Sequence, residues 1–462
     1  MNGVTLVLPE PIAEQLRAAA REEAETAAVL LVGTSREQGR LRLLGRELHP
    51  VDEAAYAHRD AVALSITSDG YVRALARAEE LGAAAIWVHS HPGGVPVPSR
   101  HDALVDEQLA PVFTVRTGQQ LYGSVVLSPD PQQSEGGLEF TGRVIDGAVE
   151  HAIDRMWIVG RRFRPVAAYG LAPDAPGEVF DRQVRALGPA MQAHLARLRV
   201  GLVGAGGTGS AVGEQLARLG VGELLAIDPD TLSASNVTRV HGARLADVGR
   251  PKVDVLARHA AEIGLGTAVE PVVGSILDPG VAARLRGCDV VFGCTDDNAG
   301  RVVLSRLSTY YLVPVIDCGV LVSSSGGTVI GIDARVTVLS PGYACLLCRN
   351  RIDLRRAALE QLDPAEREGL EREGYAPELA GVEPAVVAYT TLAAALSVNE
   401  LLERLVGYGV DQPPGELLAR IHDRELSTNT RPANPGHYCA DGSAARGAGD
   451  REPFLEMTWA SG

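Results

Sequence analysis

The chain has little of what marks several large protein classes. Basic residues do not prevail: 43 lysines and arginines stand against 58 aspartates and glutamates, a formal net charge of −15. That balance argues against nucleic acid as a main partner, because phosphate binding wants a basic face. The local pairs Arg161–Arg162 and Arg355–Arg356 read as solvated edges. No uninterrupted apolar run reaches the roughly 18 residues a membrane helix needs, so no membrane partner is expected. The start, MNGVTLVLPEP, has no basic stretch followed by an apolar core, and no signal peptide is read there. Six cysteines in 462 residues do not suggest a disulfide scaffold. Clustered cysteines read first as metal ligands, and the expected compartment is a reducing cytoplasm.

What is present is ordinary in bulk and specific in detail. A hydrophobic content of 46% and a charged content of 22% suit a globular protein, and 462 residues allow two to three domains. Residues 10–23 and 68–81 read as helices, and 29–32 and 83–90 as strands, with further strands at 112–116 and 121–127. SPDPQQSEGG at 128–137 reads as a surface loop. This first α/β unit is expected to end near 160, followed by a proline-rich linker over 161–180. A helix over 181–196 precedes strict alternation. Strands at 199–203, 223–228, 268–273, 289–293 and 314–317 are separated by helices at 208–219, 252–263, 281–286 and 298–310. Such alternation implies a doubly wound, mostly parallel sheet. Two strands (327–332, 335–339), a charged stretch to about 383 and a helix near 384–405 complete a second unit over 181–440. The tail 441–462 is expected to be flexible.

The run IWVHSHPGGVPVPSRHD brings His89, His91, Ser99 and Asp102 within fourteen positions. Histidines one residue apart at a strand end point to one face, so both can reach one ion. Asp102, at the start of the next helix, can supply a third bond, and the Gly-Pro turn between lets the chain fold back. Three protein ligands and one open position suit a catalytic zinc, which makes hydroxide available near neutral pH. A carboxylate must then move the proton, and Ser99 can hold an oxyanion. His89-Ser-His91-Pro, Ser99 and Asp102 resemble the JAMM motif of JAB/MPN-type metalloproteases, which cleave after the C-terminal glycine of ubiquitin-like proteins. That resemblance implies an upstream glutamate as general base, and Glu25 in EAETAAVLLVG stands in the matching place.

GAGGTGS, with Gly204, Gly206, Gly207 and Gly209, follows a strand and opens a helix, so its backbone N–H groups can cradle phosphates. Asp228, with Asp230 just beyond, closes the next strand and would hold ribose hydroxyls. These features alone suit a dehydrogenase equally well. Asn236 and Arg239 (SNVTR), Lys252 (GRPK) and Asp296 (CTDDN) discriminate. Hydride transfer has little use for added cations near phosphates, whereas a carboxylate attacking an α-phosphate must overcome repulsion between anions. The set resembles the ThiF/MoeB family, which includes the adenylation domain of ubiquitin-activating enzymes, over roughly 180–440. The resemblance implies ATP and Mg2+ as cofactors. Asp228 would bind ribose, Asn236, Arg239 and Lys252 the phosphates, and Asp296 the magnesium. It also implies that Arg182, in FDRQVRALG, reaches into the ATP site of the other subunit of a homodimer.

Cys345 and Cys348 have structural zinc spacing, which is half a site. By the same resemblance a second pair lies near the C-terminus. There the chain reads Asn434-Pro-Gly-His437-Tyr-Cys439, so His437 stands where a cysteine would. Family members that carry the acyl group or sulfur use a cysteine after the first zinc pair, and none lies between Cys348 and Cys439. The acyl acceptor is thus either a partner's cysteine or a hydroxyl in 383–400. The leading expectation is an enzyme of a bacterial ubiquitin-like system, such as phage defence, with a conjugating-enzyme-like protein among its partners. The peptidase module would trim or deconjugate a ubiquitin-like protein and the second module would adenylate its C-terminal glycine. Activation of a sulfur-carrier protein for thiamine, molybdopterin or cysteine synthesis and activation of a ribosomal peptide stay open, as does a non-catalytic module that only binds such a protein.

Overall fold

The computed structural model describes residues 3–131, 137–171, 175–362, 366 and 384–459. The chain packs as two units, both α/β. The first comprises Met1–Ala172, Tyr310–Leu312 and Ala444–Arg451. Its elements run β1 (Val4–Pro9), α1 (Glu10–Ala19), β2 (Ala27–Glu37), β3 (Arg40–Pro50), β4 (Tyr56–Arg59), β5 (Leu64–Ile66), α2 (Asp69–Leu81) and β6 (Ala84–Ser90). There follow α3 (Arg100–Thr117), β7 (Leu121–Pro129), β8 (Leu138–Asp146), β9 (Val149–Ala152), β10 (Arg155–Val159) and β11 (Phe163–Ala167). Nine strands form one mixed sheet in the order β11-β10-β1-β3-β2-β6-β7-β8-β9.

Period-two burial decides what each face of that sheet carries. On β6, Ile86 and Val88 join the core that packs on α1 through Ile12 and Leu16. Ala85 and Trp87 join the opposite core, with Leu75 of α2 and Phe113 of α3. Each buried Ile, Val, Leu or Phe among them stabilises by about 1.5–3 kcal/mol. His89 continues the Ala85–Trp87 parity, so the strand aims it at the α2–α3 side.

The second unit comprises Pro173–Thr309, Val313–Ser443 and Glu452–Gly462. Its elements are α4 (Asp181–Leu187), α5 (Pro189–Leu195), β12 (Arg199–Val203), α6 (Gly207–Leu219), β13 (Glu223–Ile227), α7 (Lys252–Ile263), β14 (Ala268–Val272), α8 (Pro279–Ala283) and β15 (Val290–Gly293). Then come α9 (Asn298–Tyr310), β16 (Val315–Ser325), β17 (Thr328–Leu339), α10 (Leu354–Glu360), a long helix Val387–Val406, β18 (Glu416–Arg420) and β19 (Glu425–Asn429). The eight-stranded sheet runs β14-β13-β12-β15-β16-β17-β18-β19. It is parallel from β14 to β16 and antiparallel beyond. Strand order reverses between β12 and β15, the switch point where open α/β sheets bind ligands. Among the described residues no helix is long and apolar enough to cross a membrane.

Several local expectations are corrected. Residues 112–116, read as a strand for their β-branched content, lie inside α3. Ser99 caps that helix, and Leu109, Phe113 and Thr117 are buried at helical spacing. The helix expected over 181–196 breaks at Gly188, whose φ of 86° admits glycine readily, before Pro189. The two strands expected over 327–339 are the single strand β17. The expected linker contains β11, antiparallel to β10, so the first unit runs past 160. The tail is not loose throughout: Gly449 bridges Thr34 of β2, the Asp450 N–H donates to the Thr34 carbonyl, and an Arg46 guanidinium donates to the Ala444 carbonyl at 2.6 Å. The charged stretch 367–383 lies outside the described residues.

Candidate active sites

In the first unit, β2 and β6 are antiparallel with Ala27 opposite His89. Two residues outward on each strand, the same register sets Glu25 beside His91. Their closest atoms, Glu25 Oε1 and His91 Nε2, are 3.9 Å apart. The strands are tied at this end: Ser90, between the histidines, accepts from the Thr26 N–H at 2.9 Å, and its own N–H donates to the Thr26 carbonyl. The β4–β5 hairpin adds two bonds, Glu25 N–H to the Asp60 carbonyl at 2.7 Å and Ala27 N–H to the Tyr56 hydroxyl at 2.8 Å. No local spacing signals Ser90, Thr26 or Tyr56, because their contribution lies in cross-strand register and in the hairpin.

Asp102 arrives from α3. Ser99 and Asp102 form a capping box: the Ser99 N–H donates to Asp102 Oδ2 at 2.6 Å and the Asp102 N–H to Ser99 Oγ at 3.2 Å. The box turns the aspartate back toward the histidines. Asp102 Oδ1 lies 3.3 Å from His89 Nε2, and Oδ2 lies 3.5 Å from His91 Nε2. One ligand atom from each of His89, His91 and Asp102 falls within 4.8 Å of the others. His89 is 3% exposed, yet neither ring nitrogen makes a well-formed hydrogen bond. A buried imidazole left so, aimed at a carboxylate and a second imidazole, fits a divalent metal such as zinc. Ser99 Oγ, exposed and accepting from a backbone N–H, keeps its own hydrogen to donate. Burial lifts the Glu25 carboxyl above its ordinary range, against the pull of His91 and His89. Burial opposes ionisation of Asp102 too, but the close approach of His89 and His91 outweighs it and holds its pKa well down.

In the second unit the glycine loop joins β12 to α6. Gly204 has φ 90°, and a Cβ on Gly209 would collide with the Gly204 carbonyl. A Cβ on Gly206 would meet nothing within 4 Å, so the backbone there lies open to a phosphate. The Arg239 stem covers Gly207, its Cδ 3.2 Å from where a Cβ would sit. Asp228 braces the loop: one oxygen accepts the Ala205 N–H at 2.7 Å, the other the Asp230 N–H at 2.8 Å. Burial raises the Asp228 pKa, opposed chiefly by Lys252. Lys252 Nζ lies 3.7 Å from Asp228 and 2.6 Å from Asp230. The Asn236 side-chain amide oxygen accepts from the Ser233 N–H, and an Arg239 guanidinium donates to the Ser235 carbonyl. These residues gather at the C-terminal ends of β12 and β13 and fit a nucleotide's phosphates and ribose.

Asp296 is exposed in the loop after β15. That loop is held by Arg301, which donates to the Thr295 carbonyl, and Arg301 is itself set by fully buried Asp317, shared with Arg335 at 2.7 Å. Arg182 is not brought to the loop within one chain. Gln183, its neighbour on α4, donates to the Arg218 carbonyl near the far end of α6. Thirteen helical residues separate the two ends, about 18 Å. A cluster unseen in the sequence lies beside the loop: Glu214 Oε2 is 3.1 Å from both His241 and His259. Its members sit far apart in the chain, so no spacing signalled them.

Elsewhere in the second unit, Cys345, Cys348, His437 and Cys439 place four ligand atoms within 4.8 Å of one another. Cys345 Sγ is 3.6 Å from His437 Nδ1, and Cys348 Sγ is 3.7 Å from Cys439 Sγ. His437 thus occupies the fourth corner, and three thiols with one imidazole fit a structural zinc.

Residues 180–439 match the model of the ThiF family, and residues 9–133 match that of prokaryotic homologs of the JAB domain. The SAMP-activating enzyme E1 of Haloferax volcanii is 30% identical over 162 residues, 35% of this chain and 57% of that protein. The molybdopterin-synthase adenylyltransferase of Escherichia coli K12 is 33% identical over 156 residues, 33% of this chain and 59% of that protein. The chain therefore spans less than two thirds of the length of either relative. Among solved structures, Escherichia coli MccB with ATP is 17% identical with a TM-score of 0.47, covering 57% of this chain and 75% of that one. The chain belongs to the ThiF family and carries a JAB-homologous domain ahead of its ThiF domain.

Proposed function

We propose that the chain is a two-centre enzyme of a ubiquitin-like protein system. Its second unit adenylates a C-terminal glycine carboxylate with ATP, and its first unit hydrolyses the bond made by that same carboxylate. The observation that carries this reading is the convergence of Glu25, His89, His91 and Asp102 in a chain that also holds Arg239 and Lys252 around a glycine loop.

In the adenylation unit, Lys252 and Arg239 offset the anionic repulsion between carboxylate and α-phosphate. Asp228 holds the ribose, and Asp296, in a loop braced by Asp317, would ligate magnesium. Arg182 acts across a homodimer. In the first unit, His89, His91 and Asp102 would hold zinc, which would supply Lewis acidity and hydroxide near neutral pH. Glu25, beside His91 and destabilised as an anion by burial, takes the proton from the attacking water and gives it to the leaving amine. The exposed Ser99 hydroxyl donates to the developing oxyanion.

A second reading, activation of a sulfur-carrier protein, draws on the identity to the molybdopterin-synthase adenylyltransferase. ATP–pyrophosphate exchange separates the two when run with ubiquitin-like and sulfur-carrier proteins ending in Gly-Gly. Exchange that survives Asp296→Ala would count against the magnesium assignment. Cleavage of a linear ubiquitin-like fusion that survives both chelation and Glu25→Gln would end the peptidase reading.

A further inference from the structure

An adenylating enzyme must pass its acyl group on, and no cysteine lies between Cys348 and Cys439 to take it. Cys294, at the switch point, is unsuited: its Sγ lies 3.4 Å from Cys318 Sγ, and that contact together with burial pushes its thiol well above the ordinary range. A hydroxyl is better placed. Thr391, in the first turns of the helix Val387–Val406, has Oγ1 3.0 Å from His241 Nε2. His241 Nδ1 lies 3.1 Å from Glu214 Oε2. Hydroxyl, imidazole and carboxylate stand in line, the arrangement by which a weak nucleophile is activated.

We propose that Thr391 is the acceptor of the acyl group from the adenylate, with His241 as its base and Glu214 orienting the imidazole. This rests on the adenylation reading above. The relay is built onto the nucleotide loop. The His241 N–H donates to the hydroxyl of Ser210, last residue of GAGGTGS, at 2.9 Å. Thr390, the neighbour of Thr391, has its methyl 3.3 Å from where a Cβ on Gly207 would sit. His241 follows Arg239 by two residues, so the base lies in the same short loop as a phosphate contact. Arg218 and His259 also bond Glu214, at 2.9 and 3.1 Å. With Nδ1–H given to Glu214, Nε2 accepts the Thr391 hydroxyl. The imidazole side chain is 25% exposed, so the relay is open to a reactant.

The step balances without a further reactant. Thr391 Oγ1 bonds the acyl carbon, the bond from that carbon to the phosphate oxygen breaks, and AMP leaves with the electron pair. The hydroxyl proton passes to His241 Nε2. The product is an oxygen ester, which a partner's amine can later displace.

The test uses the full chain with magnesium and N-acetylglycyl-adenylate, the smallest mimic of an adenylated C-terminal glycine. Mass spectrometry reads acylation, and added pyrophosphate reads reversal to ATP. Wild type gains one N-acetylglycyl group on Thr391, stable to thiols and released by hydroxylamine. Thr391→Ser keeps the adduct and Thr391→Val loses it, while ATP formation in Thr391→Val stays within about twofold. His241→Gln slows acylation by about a hundredfold, the scale of a lost general base. Wild type that forms ATP without modification of Thr391, or an adduct that survives Thr391→Val, overturns the assignment. Acylation of Thr391 without ATP formation would instead overturn the adenylation reading.

Discussion

The two centres differ in how much of each is finished in a single chain. The centre of the first unit is assembled: strand register, a capping box and a hairpin bring Glu25, His89, His91 and Asp102 together. The nucleotide centre is spread out. Lys252 is ion-paired to Asp230, Asp296 is exposed, and Arg182 stands on α4, beyond the far end of α6 from the glycine loop. A metal site asks for a few atoms around one point, which neighbouring strands can supply. The proposed adenylation would require two substrates to enter and a product to leave, and on that reading substrate and a second subunit would complete the site.

The sharpest way to break this contrast is to disable one centre and read both. Glu25→Gln should lower hydrolysis by about 10²–10⁴-fold, measured on a linear ubiquitin-like fusion, with ATP–pyrophosphate exchange intact. Loss of exchange alongside would mean the centres are not separable. Lys252→Met should lower exchange by about 10²–10³-fold without touching hydrolysis. Mixing Lys252→Met with Arg182→Ala chains then probes whether the second centre is shared. Random exchange of subunits should restore about a quarter of the wild-type sites, and no recovery would confine the centre to one chain.

Metal content sharpens the comparison next. About two zinc ions per chain are expected, one tetrahedral and closed by four protein ligands, the other open. His89→Ala should leave about one, and Cys348→Ser should remove the other and lower the thermal midpoint of the second unit, since structural zinc contributes directly to folding. His437→Cys should keep it. The smallest effect concerns acid. Hydrogen bonds from Arg218, His259 and His241 outweigh burial and hold the Glu214 carboxyl to about 2. An unfolded glutamate titrates near about 4.3, so the folded pKa is depressed. The stabilisation is therefore present above about pH 4.3 and lost as pH falls toward 2. Urea midpoints of wild type and Glu214→Gln should differ at pH 6 and converge as pH drops; a constant gap would refute the linkage.

The parallel sheet, the glycine loop and the grouping of His89, His91 and Asp102 were legible because each is written in local spacing or strict alternation. What was not legible depended on partners distant in sequence. Residues 112–116 carry Val112, Phe113 and Val115, which favour strands, yet the Ser99–Asp102 cap and the packing of Leu109 and Phe113 override that preference. The Ser90–Thr26 tie, the Asp317 pair of arginines and the Glu214–His241–Thr391 line join residues 16 to 177 positions apart, beyond any motif. The zinc role of His437, ambiguous as half a pair, gained support only when Cys345 and Cys439 were seen at its side.

Lys252 has one more consequence. It is the only lysine in the chain; every other member of the 43 lysines and arginines is an arginine. Its amine is 12% exposed and occupied by two aspartates. On the proposed adenylation reading, the activated acyl group would therefore meet almost no side-chain amine of the chain's own. Guanidinium groups stay protonated and do not acylate under such conditions. The chain keeps its positive charges on groups that do not acylate, so that stray amide formation on its own side chains is discouraged by composition alone.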